Sequence, residues 1–347
     1  MGGFLMKIND VFFQNSNLLS AINDSSGLWL FANFKSNCFI RALRTGFMLG
    51  FYEGIDYGIN SIKGDPNKVT LRLEILTKEG LYTYIDQSFE RKDFRHEIDK
   101  IQMNIGKNLI IKQTGENELN WIVEDKTKRI IINLILKMDL FYLYPSIVMP
   151  NNLANMAVSP KTEIFGEIFI DGAYYKVSGI GALDQYWSKK IKSGSAKKYG
   201  YSYYEPIMWN GDSASVLYYI VSSDKKIYLQ DLELSLHNGD LKRFEKVKIK
   251  IINYEEKEGF YIPVNYIVSS ENDDMEIKYE ARVMPRNRIA TWGYPEKLIK
   301  SWVPNMPLIS AKGVIKEKKD NSFKEIKIEG EGIQEFILAY YNPFKDI

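Results

Sequence analysis

The pair Asp171-Gly172 constrains this chain more than any other feature. It sits between Gly166-Glu167-Ile168-Phe169-Ile170 and Ala173-Tyr174-Tyr175-Lys176-Val177. Both flanks are β-prone, and Asp-Gly between such runs is the strongest short-range signal for a two-residue hairpin. The chain therefore reverses at 171–172 and a second strand returns beside the first. Side chains alternate along a strand, so Tyr175 and Val177 share one face of the returning strand, and Lys176 and Ser178 the other. The strand runs on into Leu183-Asp184-Gln185-Tyr186-Trp187, which brings a carboxylate in among aromatic rings.

The same period of two recurs along the chain. Val69, Leu71, Leu73 and Ile75 alternate with Thr70, Arg72 and Glu74, and Val247, Ile249 and Ile251 alternate with Lys246, Lys248 and Lys250. Both patterns predict half-buried strands. Residues 275–283 and 323–328 repeat the rhythm, closed by turn residues such as Asn, Asp and Gly. Many short strands with such punctuation predict an all-β sandwich or barrel with few short helices. Residues 86–101 carry some helical spacing through Phe89, Phe94 and Ile98, but their charge density leaves helix and strand both open. Residues 294–302 read as a short helix opened by Pro295 or as a loop with an aromatic plug.

A chain of 347 residues, 45% hydrophobic and 14% aromatic, can build two cores. Apolar periodicity lapses at 189–200, where small and basic residues take over. The expected division is accordingly a first β-domain over 1–190 and a second over 191–347. No repeat of about 20 to 50 residues is visible, so a solenoid or propeller is unsupported.

Charge narrows the partners. A net charge of +2, from 46 basic and 44 acidic residues spread along the chain, points to no nucleic-acid partner. The single cysteine, Cys38, forms no internal disulfide, so no oxidising compartment is required. With no basic leader or cleavage site at the N-terminus, the expected location is the cytoplasm. The most apolar window, 130–148, is interrupted by Asn133, Lys137 and Asp139 and falls short of the ~18 uninterrupted apolar residues of a membrane span.

Motifs for nucleotide, zinc and serine-hydrolase chemistry are missing, and with only His96 and His237 no histidine-rich metal site can form. Both histidines are read as surface residues. Gly46, Gly50 and Gly54 are spaced by four, which in a strand-rich chain suits a bent strand rather than a helix contact. The 23 Tyr, 18 Phe and 6 Trp suffice for core packing and also for lining a ligand pocket.

The segment from Asp171 to Trp187 resembles the core motif of the carotenoid 1,2-hydratase (hydroxyneurosporene synthase) and AttH-like family. Gly330-Glu331-Gly332, followed by Glu335 and Tyr340, is similar to that family's closing motif. Between them, Trp209-Asn210-Gly211-Asp212, Asn238-Gly239 and Tyr261-Ile262-Pro263 fall near further family elements. The likeness covers about 121–341. It implies two successive lipocalin-like β-barrels, a hydrophobic small-molecule substrate held between them, and no cofactor or metal. A peripheral contact with a membrane surface is one route to such a substrate. Where the family has histidine and glycine, this chain has Gln185 and Ser188. Glutamine forms hydrogen bonds but shuttles no proton, which weakens hydration of an alkene and favours the branch of fungal decalin-forming Diels–Alderases.

On this reading Asp184, Gln185 and Tyr186 are the candidate catalytic residues. Tyr175, Trp187, Trp209 and Trp292 are candidate substrate contacts. Asp184 among rings is desolvated and able to act as an acid near neutral pH; the alternative is an aspartate bonded to backbone or paired with Lys189 or Lys190. Arg282, Arg286 and Arg288 either anchor a substrate's anionic end or lie in an exposed loop. The expected activity is cyclisation or isomerisation of a polyene, isoprenoid or polyketide. The alternatives are carotenoid-type hydration, a non-catalytic carrier of hydrophobic ligands, and a structural β-protein whose aromatics bind another protein.

Overall fold

The computed structural model describes residues 4–6, 25–35, 37–49, 67–97, 102–138, 141–149, 152–188, 199–222, 225–257, 260–289, 303–319 and 322–338. Two compact units emerge, Met1–Asp56 with Asn60–Ser193, and Tyr57–Ile59 with Gly194–Ile347. Among the described residues each unit is one large antiparallel sheet with no α-helix. The chain is all-β and lipocalin-like, and none of its described helical turns is long and apolar enough to cross a membrane.

The first unit opens with β1 (Phe4–Met6), β2 (Ser25–Phe34), β3 (Ile40–Leu49), β4 (Lys68–Thr77) and β5 (Gly80–Glu90). It continues with β6 (Phe94–Glu97), β7 (Gln102–Ile105), β8 (Leu109–Gly115), β9 (Glu118–Asp125) and β10 (Ile130–Met138). It closes with β11 (Phe141–Met149), β12 (Asn152–Ile170) and β13 (Ala173–Ser188). The sheet runs β5-β4-β3-β2-β13-β12-β10-β9-β8-β7-β6, with β11 pairing β1 and β12.

The hairpin at 171–172 joins β12 to β13. Asp171 and Gly172 both take positive φ, 49° and 96°, the geometry that lets a two-residue turn follow the twist of its strands. Tyr175 and Val177 do share a face, Val177 in the core and Tyr175 packed on it and stacked on Phe39 at 4.8 Å. β12 is long enough to serve two partners: 152–158 pair with β11 and 162–170 with β10. A bulge between Ser159 and Thr162 bends the strand between those halves. There the Thr162 hydroxyl donates to Ser159 Oγ at 3.2 Å, and the Ser159 hydroxyl in turn donates to the Lys161 carbonyl at 3.2 Å.

Period-2 burial is clearest in β9 and β10, where Leu119, Trp121, Val123, Ile132, Leu134 and Leu136 turn inward, each at most 1% exposed. With Leu28, Leu30, Leu73 and Ile105 they fill the first core. Of residues 86–101, the last four lie outside the described residues, and the rest form no α-helix: β5 ends at Glu90, a 3-10 turn spans Arg91–Asp93, and β6 starts at Phe94. Phe89 and Phe94 pack on the first core, and that burial overrides their helical spacing. The reading of 294–302 lies outside the described residues.

The second unit comprises β14 (Tyr199–Trp209), β15 (Ala214–Ser222), β16 (Ile227–Ser235), β17 (Leu241–Phe244) and β18 (Lys248–Lys257). It continues with β19 (Phe260–Glu271), β20 (Met275–Ile289), β21 (Val303–Lys319), β22 (Ser322–Ile333) and β23 (Glu335–Leu338). Its order is β17-β16-β15-β14-β22-β21-β20-β19-β18, with β23 pairing β14 and β21. Leu217, Leu232, Phe244, Tyr266, Val268, Tyr279 and Ile309 build its core. The turn at Asn238-Gly239 forms between β16 and β17, with Asn238 Oδ1 accepting from the Asp240 amide at 3.1 Å.

The left-handed backbone at Gly172 makes a specific demand. Gly172→Val forces a branched side chain into φ of 96°, and a loss of about 1–3 kcal/mol is expected. Asp171→Asn, which suits the same turn, should leave stability unchanged. Urea unfolding checks both: the midpoint should fall for the valine variant alone, with an unchanged slope.

Candidate functional site

β2, β3 and β4 are buried on both faces over 27–34, 42–47 and 69–77, and β13 over 180–183. On β2, Leu28, Leu30, Ala32 and Phe34 belong to the core, so Trp29, Phe31 and Asn33 take the opposite face. These three are nonetheless buried. The register then builds two rows across the sheet. Ala182, Phe31, Arg44 and Glu74 form one, and Asp184, Trp29, Gly46 and Arg72 the next. β4 alternates in chemistry as its sequence predicts, but it is not half-buried: Arg72 and Glu74 are as hidden as Leu71 and Leu73.

Arg44 is the centre of this face. Its guanidinium carbon lies 4.3 Å from the centre of the Trp29 ring and 5.4 Å from that of Phe31. Its Nη1 donates to Glu74 Oε2 at 3.4 Å, an ion pair with both side chains at most 3% exposed. Charges this far from water are expensive unless paired, and cation–ring attraction grows as water is removed. Gly46 makes room for the indole. A Cβ there would meet Trp29 Cε3 at 2.6 Å and the Leu28 carbonyl oxygen at 2.3 Å, so any larger residue would displace the ring that Arg44 covers.

Asp184 is half-buried on this face, directly across from Trp29 on β2 and from Val158 on β12. Gln185 is buried on the other face, beside Leu28 of the core, because adjacent residues of a strand point oppositely. The strand thus separates two residues expected to act together. Tyr186 and Trp187 continue β13 opposite Gly27 and Ser26; their side chains, and all of Trp292, lie outside the described residues. Tyr175 packs on the first core through Phe39. Trp209 lies in the second core, its Nε1 donating to Ser215 Oγ at 2.8 Å and its ring edge-on to Tyr279. Trp29, Arg44, Arg72 and Glu74 were not among the sequence candidates. Their signal was a Trp-x-Phe pair inside an uninterrupted apolar run, the pattern of a strand buried on both sides.

The second core holds an acid of its own. Glu205, fully buried, accepts from the hydroxyls of Tyr266 and of Tyr279, the latter at 2.9 Å. Gln334 Nε2 donates to the Tyr266 oxygen at 2.7 Å. Burial pushes the Glu205 carboxyl up to about 7, against the two tyrosine hydroxyls, which favour its charged form. His96 is half-buried and its pKa is lowered by that burial, while His237 is exposed. No cluster of metal-binding side chains occurs among the described residues.

Unfolded, a glutamate loses its proton near 4.5, whereas Glu205 keeps it to about 7. Between those values the folded chain alone holds the proton, so stability falls as pH rises through this window and then levels off. Glu205→Gln has no proton to lose. Relative to the parent, the variant should lack a decline on the order of 3 kcal/mol between pH 4.5 and 7.5, read from urea midpoints.

No protein-family model matches the sequence, and no curated protein matches it. Solved structures do match in fold. An AttH-type protein from Nitrosomonas europaea aligns over 92% of this chain and 93% of its own, with a TM-score of 0.60 and 10% identity. Kievitone hydratase from Nectria haematococca aligns over 98% and 97%, at 0.58 and 9%. CghA, in a crystal structure with Sch210972, aligns over 92% and 89%, at 0.56 and 11%. The chain thus shares the fold of these three proteins across nearly its whole length, which is the architecture that the motif around Asp184 implies.

Proposed function

We propose that this protein is a cofactor-independent enzyme that binds an uncharged hydrophobic polyene, isoprenoid or polyketide and promotes its cyclisation or isomerisation. The observation that carries this reading is the face on which Asp184, Trp29 and Arg44 meet. On this reading a conjugated chain lies against the buried Trp29, and the half-buried Asp184, one strand away, is its polar contact. Behind the ring, Arg44 and Arg72 supply fixed positive charge in a site from which water is largely excluded, Arg44 held in place by Glu74. Such charge polarises a carbonyl conjugated to the reacting alkene and lowers the barrier to attack on it. In a cycloaddition, the four π electrons of a diene and the two of an alkene become two new carbon–carbon σ bonds and one new π bond. No proton or electron is exchanged, so holding the chain in the reactive conformer is the main requirement.

Alkene hydration is the second reading, favoured by a carboxyl group at the site edge and by the fold shared with kievitone hydratase. There Asp184 gives a proton to one alkene carbon, water oxygen bonds the other, and that water's surplus proton passes back to the Asp184 carboxylate.

Incubation with candidate polyenes, followed by mass and retention time, separates the readings. An isomer of unchanged mass is expected; a gain of one water identifies a hydratase, and unchanged starting material with each tight-binding polyene identifies a carrier. Arg44→Met should lower turnover about 100-fold if its charge acts on the reacting group. Asp184→Asn should lower cyclisation less than tenfold, whereas hydration would be abolished, and circular dichroism confirms that each variant folds.

A further inference from the structure

The second sheet also has a buried face turned away from its core. Across β14, β15 and β16 the register sets Tyr204 beside Tyr218 and Tyr218 beside Asp231. The neighbouring row sets Pro206 beside Val216, Val216 beside Glu233, and Glu233 beside Arg243 of β17. Leu217, Leu232, Leu234 and Phe244 point into the core, so these two rows share the other side. Tyr204 and Tyr218 lie 4.8 Å apart, tilted by 56°. The Arg243 guanidinium donates to Asp231 and lies 3.3 Å from Glu245.

Glu233 stands apart from this pairing. It is 0% exposed, and neither carboxyl oxygen has a hydrogen-bond partner. Opposite it are the Val216 side chain on one strand and Arg243, already engaged by Asp231, on the other. A buried polar group without a partner is unfavourable, and a ligand that reaches it would complete its bonding.

We propose that this face is a binding site for an uncharged small molecule bearing an aromatic ring and a carbonyl or ether oxygen, with Glu233 donating its O–H to that oxygen and Tyr204 and Tyr218 lying against the ring. An uncharged ligand suits these surroundings, because Arg243 is already paired with Asp231 and Glu245 and is not left to balance a ligand's charge. Burial keeps Glu233 protonated up to about 8, partly offset by Arg243, so the donor is present at neutral pH. The site uses none of the residues proposed to act on a polyene in the first unit.

Dicyclohexylcarbodiimide, uncharged and apolar, tests this directly. The acid proton passes to a carbodiimide nitrogen, the carboxylate oxygen adds to the central carbon, and acyl transfer to nitrogen leaves a stable N-acylurea. Peptide mass spectrometry of the full chain treated at pH 7 should place the adduct on Glu233, and labelling should fall about tenfold by pH 9 as the carboxyl loses its proton. Saturating acetophenone, a neutral aryl ketone, should slow the labelling severalfold. Glu233→Gln should lose the adduct while remaining folded, and Asp184→Asn should keep it, which separates this site from the reactive face. Adducts confined to exposed carboxylates, or Glu233 labelling that acetophenone leaves unchanged, would overturn the proposal.

Discussion

Ten consecutive residue pairs join β13 to β2, from Gly179 with Phe34 to Ser188 with Ser25, with no bulge between them. Everything at the candidate site depends on this ladder. Shifting it by a single residue would carry Asp184 to the core side and exchange Trp29 for an aliphatic neighbour. The register is held from both directions. Leu183 and Leu28 are anchored in the first core, and Gly46 accepts the Trp29 ring only in its present alignment. Packing on one side of the sheet therefore decides which functional groups meet on the other.

The charged face is costly by the same logic that makes it informative. A sheet with an apolar core beneath it gains stability from apolar residues on the second face as well, yet this one places Arg44, Arg72 and Glu74 there. Replacing a buried ion pair by well-packed aliphatic residues is often neutral or stabilising in proteins. On the proposed reading, these groups serve the field they create above Trp29 more than the folding of the sheet. The cation–ring geometry supports this view, because it fixes Arg44 in one orientation and so fixes the direction of that field.

Strand positions were legible because their causes are local. The turn at Asp171-Gly172, the alternation in β4, β18, β20 and β22, and the turn at Asn238-Gly239 each follow from a few adjacent residues. Alternation reveals that two faces differ, not that one meets water, so Arg72 and Glu74 were read as solvated. Asp184 was reached through the motif that carries it. Its partners were hidden because Trp29 and Arg44 precede it by more than a hundred residues and join it only through sheet pairing. Gln185 was grouped with Asp184 by adjacency in sequence, whereas a strand sends adjacent side chains apart.

Glu205 and Glu233 show how alike residues come to different ends within one unit. Both are completely buried and both are held above the ordinary glutamate range, chiefly by desolvation. Two tyrosine hydroxyls meet Glu205 and draw it back to about 7. Glu233 has no such donors, only the field of Arg243, and stays at about 8. The satisfied acid ties three strands together through Tyr266 and Tyr279 and is part of the architecture. The unsatisfied acid forms no hydrogen bond within the described chain, so it contributes no such tie to the architecture.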